Sequence, residues 1–282
     1  MDYKIESKRI NHPLIKPILE YLIPFFQKKE IKFYIIGATA RDIILELHNE
    51  QSGRATRDLD IAIAIEDWDK YAEIENDLVQ LPNFKKDTHQ KQRFIYLDSY
   101  EIDLVPYGEI MQQDDKIYWP PDEETAMNVL GFKEAEKHLV NVSIDNQIEV
   151  SIVNLASIFL LKSVAWSDRN ITSSKDADDI GFILTNYLSI NQQRAIDEFY
   201  DDIYTIDPFD TIVAAGTLMG IDLNNMIKEN SATQEFLSNV IDQEIKLGVE
   251  SRLFNQIIET NKTISFDQIY QAFIQIKKNI TQ

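Results

Sequence analysis

The sequence predicts an α+β protein in two parts: strands and helices interleaved over residues 1–153, then an all-helical half over 154–282. Three observations carry this reading. Runs with period-two alternation, such as Leu59, Ile61, Ile63 and Ile65, recur up to about residue 153 and then stop. Between them lie apolar residues at helical spacing. Beyond Asn154 nearly every segment keeps that helical spacing, and no repeat or low-complexity linker interrupts it.

Taken in order, PLIKPILEYLIPFFQK (13–28) predicts a helix, with Pro13, Pro17 and Pro24 limiting its regularity. KFYIIG (32–37) is β-branched and aromatic and ends in glycine, which predicts a strand. TARDIILELH (39–48) predicts a helix with Thr39 near its start, and NEQSGRAT (49–56) a loop. DLDIAIAI follows as a strand. EDWDKYAEIENDLVQL (66–81) is an acidic amphipathic helix stopped at Pro82. QRFIYL and EIDLVPYG predict a hairpin joined through Asp98 to Tyr100. After YWPPDEE comes a short helix or turn, then HLVNVSI, a turn at Asp145-Asn146, and QIEVSIV. Helices are predicted over 155–166, 174–187, 192–203, 209–220, 232–245 and 265–278.

Composition excludes several classes of function. The chain has 282 residues, 44% of them hydrophobic and 27% charged, enough for a sizeable core. It has no cysteine, which removes disulfides, thiolate metal sites and cysteine nucleophiles together. The charged N-terminus carries no apolar signal region, and the longest apolar run falls far short of a membrane span, so a cytoplasmic location is expected. A formal net charge of −19 argues against broad nucleic-acid binding but not against one RNA on a local basic patch. The four histidines are scattered, and no Gly-x-x-x-x-Gly-Lys-Ser/Thr loop exists.

Three pieces carry chemistry. Gly37-Ala38-Thr39-Ala40-Arg41-Asp42 sits at a strand-to-helix turn, where a small residue lets a phosphate approach and the helix start favours anions. Asp58-Leu59-Asp60 opens the next strand, and period two sends both carboxylates to one face. Asp103 stands among Ile102, Leu104 and Val105, where an apolar residue is expected. Such a turn, an Asp-x-Asp strand and a lone later Asp form a layout for two-metal phosphoryl transfer, in which ions about 3.5–4 Å apart share carboxylates. Residue by residue, a structural alternative stands beside it: Asp58 caps the loop, Asp60 pairs with Arg57 or Arg41, and Asp103 is a satisfied buried acid.

The stretches YIIGATARDIIL, RATRDLDIAI and EIDLVPYG resemble the nucleotidyltransferase superfamily, whose fold is polymerase β-like. The resemblance is nearest to the AbiEii/AbiGii-type toxins of toxin–antitoxin and phage-defence systems. It extends through LASIFLLKSVAWSDRNITSSKDADDIGFIL and covers roughly residues 30–190. It implies a mixed β-sheet flanked by helices, two Mg²⁺ ions, a nucleoside triphosphate as substrate and transfer of its monophosphate to an acceptor hydroxyl. It further implies Asp58 and Asp60 as paired metal ligands. Asp103 becomes the third acid, sharing a metal and drawing the acceptor's proton. Gly37, Ala38 and Thr39 form the phosphate turn. Arg41 meets a phosphate or pairs with Asp42 and Asp60. Lys162 and Lys175 bind the triphosphate, or else Lys162 is a snorkelling lysine and Lys175 pairs with Asp179 on its own helix. Asp176 and Asp179 belong to the same cluster, and Asp168 and Arg169 cap a loop or join the site.

The turn differs from the superfamily's usual Gly-Gly or Gly-Ser, since Ala38 brings no hydroxyl. The CCA-adding enzymes share a Gly-x-x-x-Arg-Asp turn, but their arginine-rich base-selecting motif is absent here, so tRNA 3′-end synthesis fits poorly. Two classes of function remain: a nucleotidyltransferase, acting on RNA as a toxin or on a small molecule such as an antibiotic, and a catalytically inactive partner-binding protein of the same fold. Retention of all three aspartates favours the enzyme. The expected partners are a nucleoside triphosphate, an RNA or small-molecule acceptor, and an antitoxin protein; no membrane is expected.

Overall fold

The computed structural model describes residues 3–50, 56–205 and 207–281. The chain divides into two compact units, one ending at Asn154 and the other beginning at Leu155.

The first unit is built on a mixed eight-stranded sheet. Its strands are β1 (Tyr3–Ile5), β2 (Phe33–Ile35), β3 (Asp58–Ile65), β4 (Phe84–Lys86), β5 (Arg93–Tyr96), β6 (Tyr100–Gly108), β9 (Leu139–Ile144) and β10 (Ile148–Val153), ordered β1-β9-β10-β2-β3-β6-β5-β4. A separate ribbon pairs β7 (Lys116–Trp119) with β8 (Thr125–Asn128). Helices α1 (Ile15–Lys28), α2 (Gly37–Leu47), α3 (Trp68–Leu78) and α4 (Phe132–Glu136) complete the unit. The sheet is mixed because β1 with β9, β10 with β2 and β3 with β6 run parallel, while the hairpins run antiparallel.

Local chemistry accounts for most of these elements. α1 buries Ile15, Ile18, Leu19, Leu22 and Phe26 at helical spacing. It runs through Pro24 because Pro24 and its would-be partner Glu20 are both exposed, so the forfeited hydrogen bond faces water. The turn at Asp145 and Asn146 gives both residues positive φ, as type I′ hairpin turns do. The β5–β6 turn lies at Leu97 to Ser99, with Tyr100 already in the strand.

Several elements differ from the sequence expectation. β1, β4 and β8 are three or four residues long, too short to display a period. Helix α2 begins at Gly37, two residues earlier than expected. Of the loop expected over 49–56, residues 51–55 lie outside the described residues.

The second unit is helical among its described residues: α5 (Leu155–Arg169), α6 (Lys175–Ile190), α7 (Gln192–Glu198), α8 (Tyr200–Tyr204), α9 (Thr211–Ile227), α10 (Ser231–Leu247), α11 (Arg252–Thr260) and α12 (Phe266–Ile280). The single helix expected over 192–203 is two helices, broken at Phe199, and α11 has no counterpart in the expectation. α9 and α12 approach closely because Gly216 and Gly220 face the backbone of Ala272 and Ile276. No helix among the described residues is long and apolar enough to cross a membrane.

Candidate active site

β3 and β6 lie side by side in parallel, with Asp58 opposite Glu101 and Asp60 opposite Asp103. Directly paired residues on adjacent strands share a face, so four carboxylates stand on one patch of the sheet, in rows about 4.8 Å apart. The other face is fully buried at Leu59, Ile61, Ile102 and Leu104. That apolar anchor forces the acids to the opposite side: a one-residue slip of β3 would bury both aspartates. Asp58, Asp60 and Glu101 are half-buried, while Asp103 is 8% exposed.

Each acid is fixed by a neighbour. Arg93 on β5 lies directly across from Asp103. Its Nε donates to Asp103 Oδ1 at 2.7 Å and its Nη2 to Oδ2 at 2.9 Å, while Nη1 meets Glu101 Oε2 at 2.5 Å. The Asp103 hydrogen bonds raise the pKa of the guanidinium against the opposing effect of burial, and the charges of Asp103, Glu101 and Asp58 add to the rise. Asp58 Oδ1 accepts the Thr56 hydroxyl at 2.7 Å. The backbone carbonyl of Asp58 accepts from the Thr39 hydroxyl at 3.1 Å and the Tyr100 hydroxyl at 3.3 Å. Burial first, and the charges of Asp58 and Asp60 second, push the Tyr100 phenol up. The His12 ring packs over Tyr100 with centroids 4.3 Å apart.

Gly37 closes the patch. Its φ is +65°, and a Cβ built on it would overlap Oδ2 of Asp60. The Ile36 amide donates to the Asp60 carbonyl at 2.9 Å and holds this contact in register. The start of α2, a helix end that favours anions, is thereby set against the Asp60 carboxylate. One turn on, Arg41 donates to Asp42 Oδ1 through Nε at 2.9 Å and Nη2 at 2.7 Å, and Asn11 donates to Asp42 Oδ2 at 2.8 Å. Both partners are buried, so this ion pair fixes the inner face of α2. Ala38 lies in the first turn of α2 and is half-buried, whereas Arg57 is exposed.

Four of the six residues named in the helical unit form a second cluster. Asp176 and Asp179 are almost completely buried on α6. Lys162 on α5 reaches Asp179 at 2.8 Å and Asp176 at 3.3 Å, and Arg169 grips Asp176 at 2.6 Å through Nε and 2.8 Å through Nη2. Burial works to raise the Asp176 pKa, but the Arg169 hydrogen bonds and the Lys162 and Arg169 charges outweigh it and hold the carboxyl below its ordinary value. Lys175 and Asp168 are exposed.

Arg93, Glu101, Thr56 and Tyr100 stand against these aspartates, and sequence reasoning missed them. Two signals were present. Glu101-Ile102-Asp103 repeats the acid-x-acid spacing of Asp58-Leu59-Asp60. Arg93 breaks the apolar character of QRFIYL, out of phase with Phe94 and Tyr96.

Asp58 and Asp60 fit a magnesium ion: hard oxygen donors two residues apart on one face, partly open to solvent. A three-acid cage is not assembled, since among the described residues no group of three His, Cys, Asp or Glu side chains is gathered for a metal. Asp103 is held in the Arg93 fork instead.

No curated protein matches the chain. Among the solved structures that resemble it, two do so at low identity. One is an antigenic nucleotidyltransferase-like protein from Paracoccidioides brasiliensis, with 15% identity, TM-score 0.41, and coverage of 74% of this chain and 94% of that one. The other is the CdnE cyclic dinucleotide synthase of Elizabethkingia meningoseptica with GTP and Apcpp, with 10% identity, TM-score 0.29, and coverage of 97% and 93%. The family model described as nucleotidyl transferase AbiEii toxin, Type IV TA system, matches residues 25–272. That span takes in the turn at Gly37, the acid face and most of the helical unit, and the chain belongs to the AbiEii nucleotidyltransferase toxin family.

Proposed function

We propose that this protein transfers a nucleoside monophosphate from a nucleoside triphosphate to an acceptor hydroxyl, with magnesium held by Asp58 and Asp60. The observation that carries this is the seating of the Asp60 carboxylate against Gly37, the first residue of α2. A cation ligand and an anion-favouring helix start then face the same spot, as a metal-bound polyphosphate requires. When bound, magnesium supplies Lewis acidity at the phosphoryl oxygens. The chain's own residues do the rest. Backbone amides at the start of α2 orient phosphate oxygens. Thr56 fixes the Asp58 carboxylate and Arg93 that of Asp103. The acceptor oxygen bonds to the α-phosphorus, the bond to the leaving pyrophosphate breaks, and the acceptor's proton passes to an oxygen of this acid face.

Family membership supports the reaction class and suggests an antitoxin counterpart. The acceptor is an RNA or a small molecule. The test incubates the protein with each α-labelled nucleoside triphosphate, Mg²⁺ and, separately, the RNA and small-molecule fractions of a cell extract. Label appearing in one fraction with pyrophosphate release identifies the acceptor class. Absence of label in both with all four nucleotides contradicts the reading.

A further inference from the structure

Four buried acids of this chain have a cation of their own. Asp42 has Arg41, Asp103 has Arg93, Asp179 has Lys162, and Asp176 has both Lys162 and Arg169. Glu244 on α10 is equally buried, at 4% exposed, yet among the described residues no cation pairs with it. Its two hydrogen bonds both fall on Oε2, from the Ser251 hydroxyl at 2.7 Å and the Leu253 amide at 3.2 Å, and Oε1 accepts none. These bonds hold the turn into α11, where Ser251 is the N-cap. A glutamine carbonyl oxygen could accept both, so the turn itself has no need of a charge. A buried carboxylate without a counter-ion is costly.

Glu244 lines a cavity of about 460 Å³ inside the helical unit, between α5, α10 and the start of α11. That volume lies in the range that holds a small molecule. Glu250, Asn170 and Arg252 supply the other polar groups of its wall, and Trp166 and Leu247 supply apolar surface. Two of these groups already have partners: the Trp166 indole donates to Gln256 Oε1 at 2.8 Å, and Arg252 Nη1 donates to Asn170 Oδ1 at 3.0 Å.

We propose that this cavity is a binding site for a small organic cation, an alkylammonium or alkylguanidinium, whose charged end meets Glu244 Oε1 and whose carbon chain lies along Trp166 and Leu247. Two carboxylates against one arginine leave the wall negative. Ammonium and guanidinium groups are donors only, which suits an acceptor with an unused oxygen. The indole ring adds attraction for a cation. A chain of net charge −19 also draws cations from solution. The proposal stands apart from the magnesium-dependent reading above, since every residue it uses lies in the helical unit and its test needs no transfer reaction.

The test follows the indole N–H signals of Trp68, Trp119 and Trp166 by NMR while putrescine or agmatine is titrated into the whole chain, at about 0.15 M salt to screen diffuse attraction. Either probe should move the Trp166 signal to saturation, and the uncharged butanediol of the same chain length as putrescine should not. Glu244→Gln should weaken binding about tenfold or more, as loss of a hydrogen bond to a charged group does. If Glu244→Gln fails to fold, Leu247→Trp decides: it fills the cavity from an exposed position, leaves Glu244 in place, and should abolish the shift of Trp166. No saturable Trp166 shift with either probe, equal binding of butanediol, or a folded Glu244→Gln or Leu247→Trp that binds like wild type would overturn the proposal. So would an unsaturating drift of all three signals, which marks cations gathering on an acidic surface.

Discussion

Gly37 and Asp60 are in contact such that no side chain fits between them: a Cβ at position 37 would occupy the place of an Asp60 carboxylate oxygen. The positive φ of Gly37 adds a second bar to any other residue. Gly37→Ala should therefore cost about 1–2 kcal/mol in backbone strain. It should also move Asp60, and displacement of a reacting group by about 1 Å lowers turnover by about 100-fold. Urea melts and a transfer assay on the same preparation check both. Full activity in Gly37→Ala would show that this contact is incidental.

Asp58 has a narrower prediction. Its Oδ1 accepts the Thr56 hydroxyl, and an asparagine oxygen in that position can still accept. Asp58→Asn removes one of four like charges from the face while keeping that bond. Without metal the variant should melt at the wild-type temperature or above. Wild type should gain about 2.7 kcal/mol at Mg²⁺ a hundredfold over its dissociation constant, and the variant much less. Thermal melts with and without Mg²⁺ and nucleotide check this. A variant that loses about 0.5–1.5 kcal/mol in the absence of metal, beside a wild type indifferent to Mg²⁺, would assign Asp58 a purely structural hydrogen bond.

Lys162 compensates two buried carboxylates on α6. Removing one partner of a buried ion pair costs about 3–5 kcal/mol, here offset in part because Arg169 stays on Asp176. Lys162→Met should lose stability of that order, read as a lower urea midpoint at unchanged slope. A change below about 1 kcal/mol would place Lys162 among ordinary solvated surface pairs.

Asp176 sets a pH dependence. Its carboxyl is held below 3.8, its ordinary value. A depressed native pKa contributes stability that is fully present above the unfolded value and is lost as pH falls through the native one. The stability gap between wild type and Asp176→Asn should therefore be widest above pH 3.8 and narrow on acidification below it. Urea midpoints across that range check the sign, and a gap that widens with acid would reverse it.

What the sequence displays and what it hides differ by the range of the interaction. Asp58 and Asp60 are legible because period two is a local property, and the strand that bears them is long enough to show it. The start of α2 is legible from its glycine. Arg93 is not. Its partner is ten residues away across a hairpin, and only the antiparallel register of β5 with β6 reveals that the two face each other. Glu101 is hidden for the same reason, since its place opposite Asp58 depends on β3 pairing with β6 across an intervening helix and hairpin. The break at Phe199 within 192–203 carries no glycine or proline to mark it. Lys162 is conspicuous as a cation among apolar residues, but its two carboxylate partners on α6 emerge only when the helices pack.

The most direct measurement is label transfer from α-labelled nucleoside triphosphates by wild type and Asp60→Asn, side by side, with Mg²⁺ and with Mg²⁺ chelated. Wild type should move label to an acceptor and release pyrophosphate only when Mg²⁺ is present, and Asp60→Asn, folded to the wild-type melting temperature or above, should move none. Equal transfer by the two proteins, or transfer that survives chelation, would contradict the account.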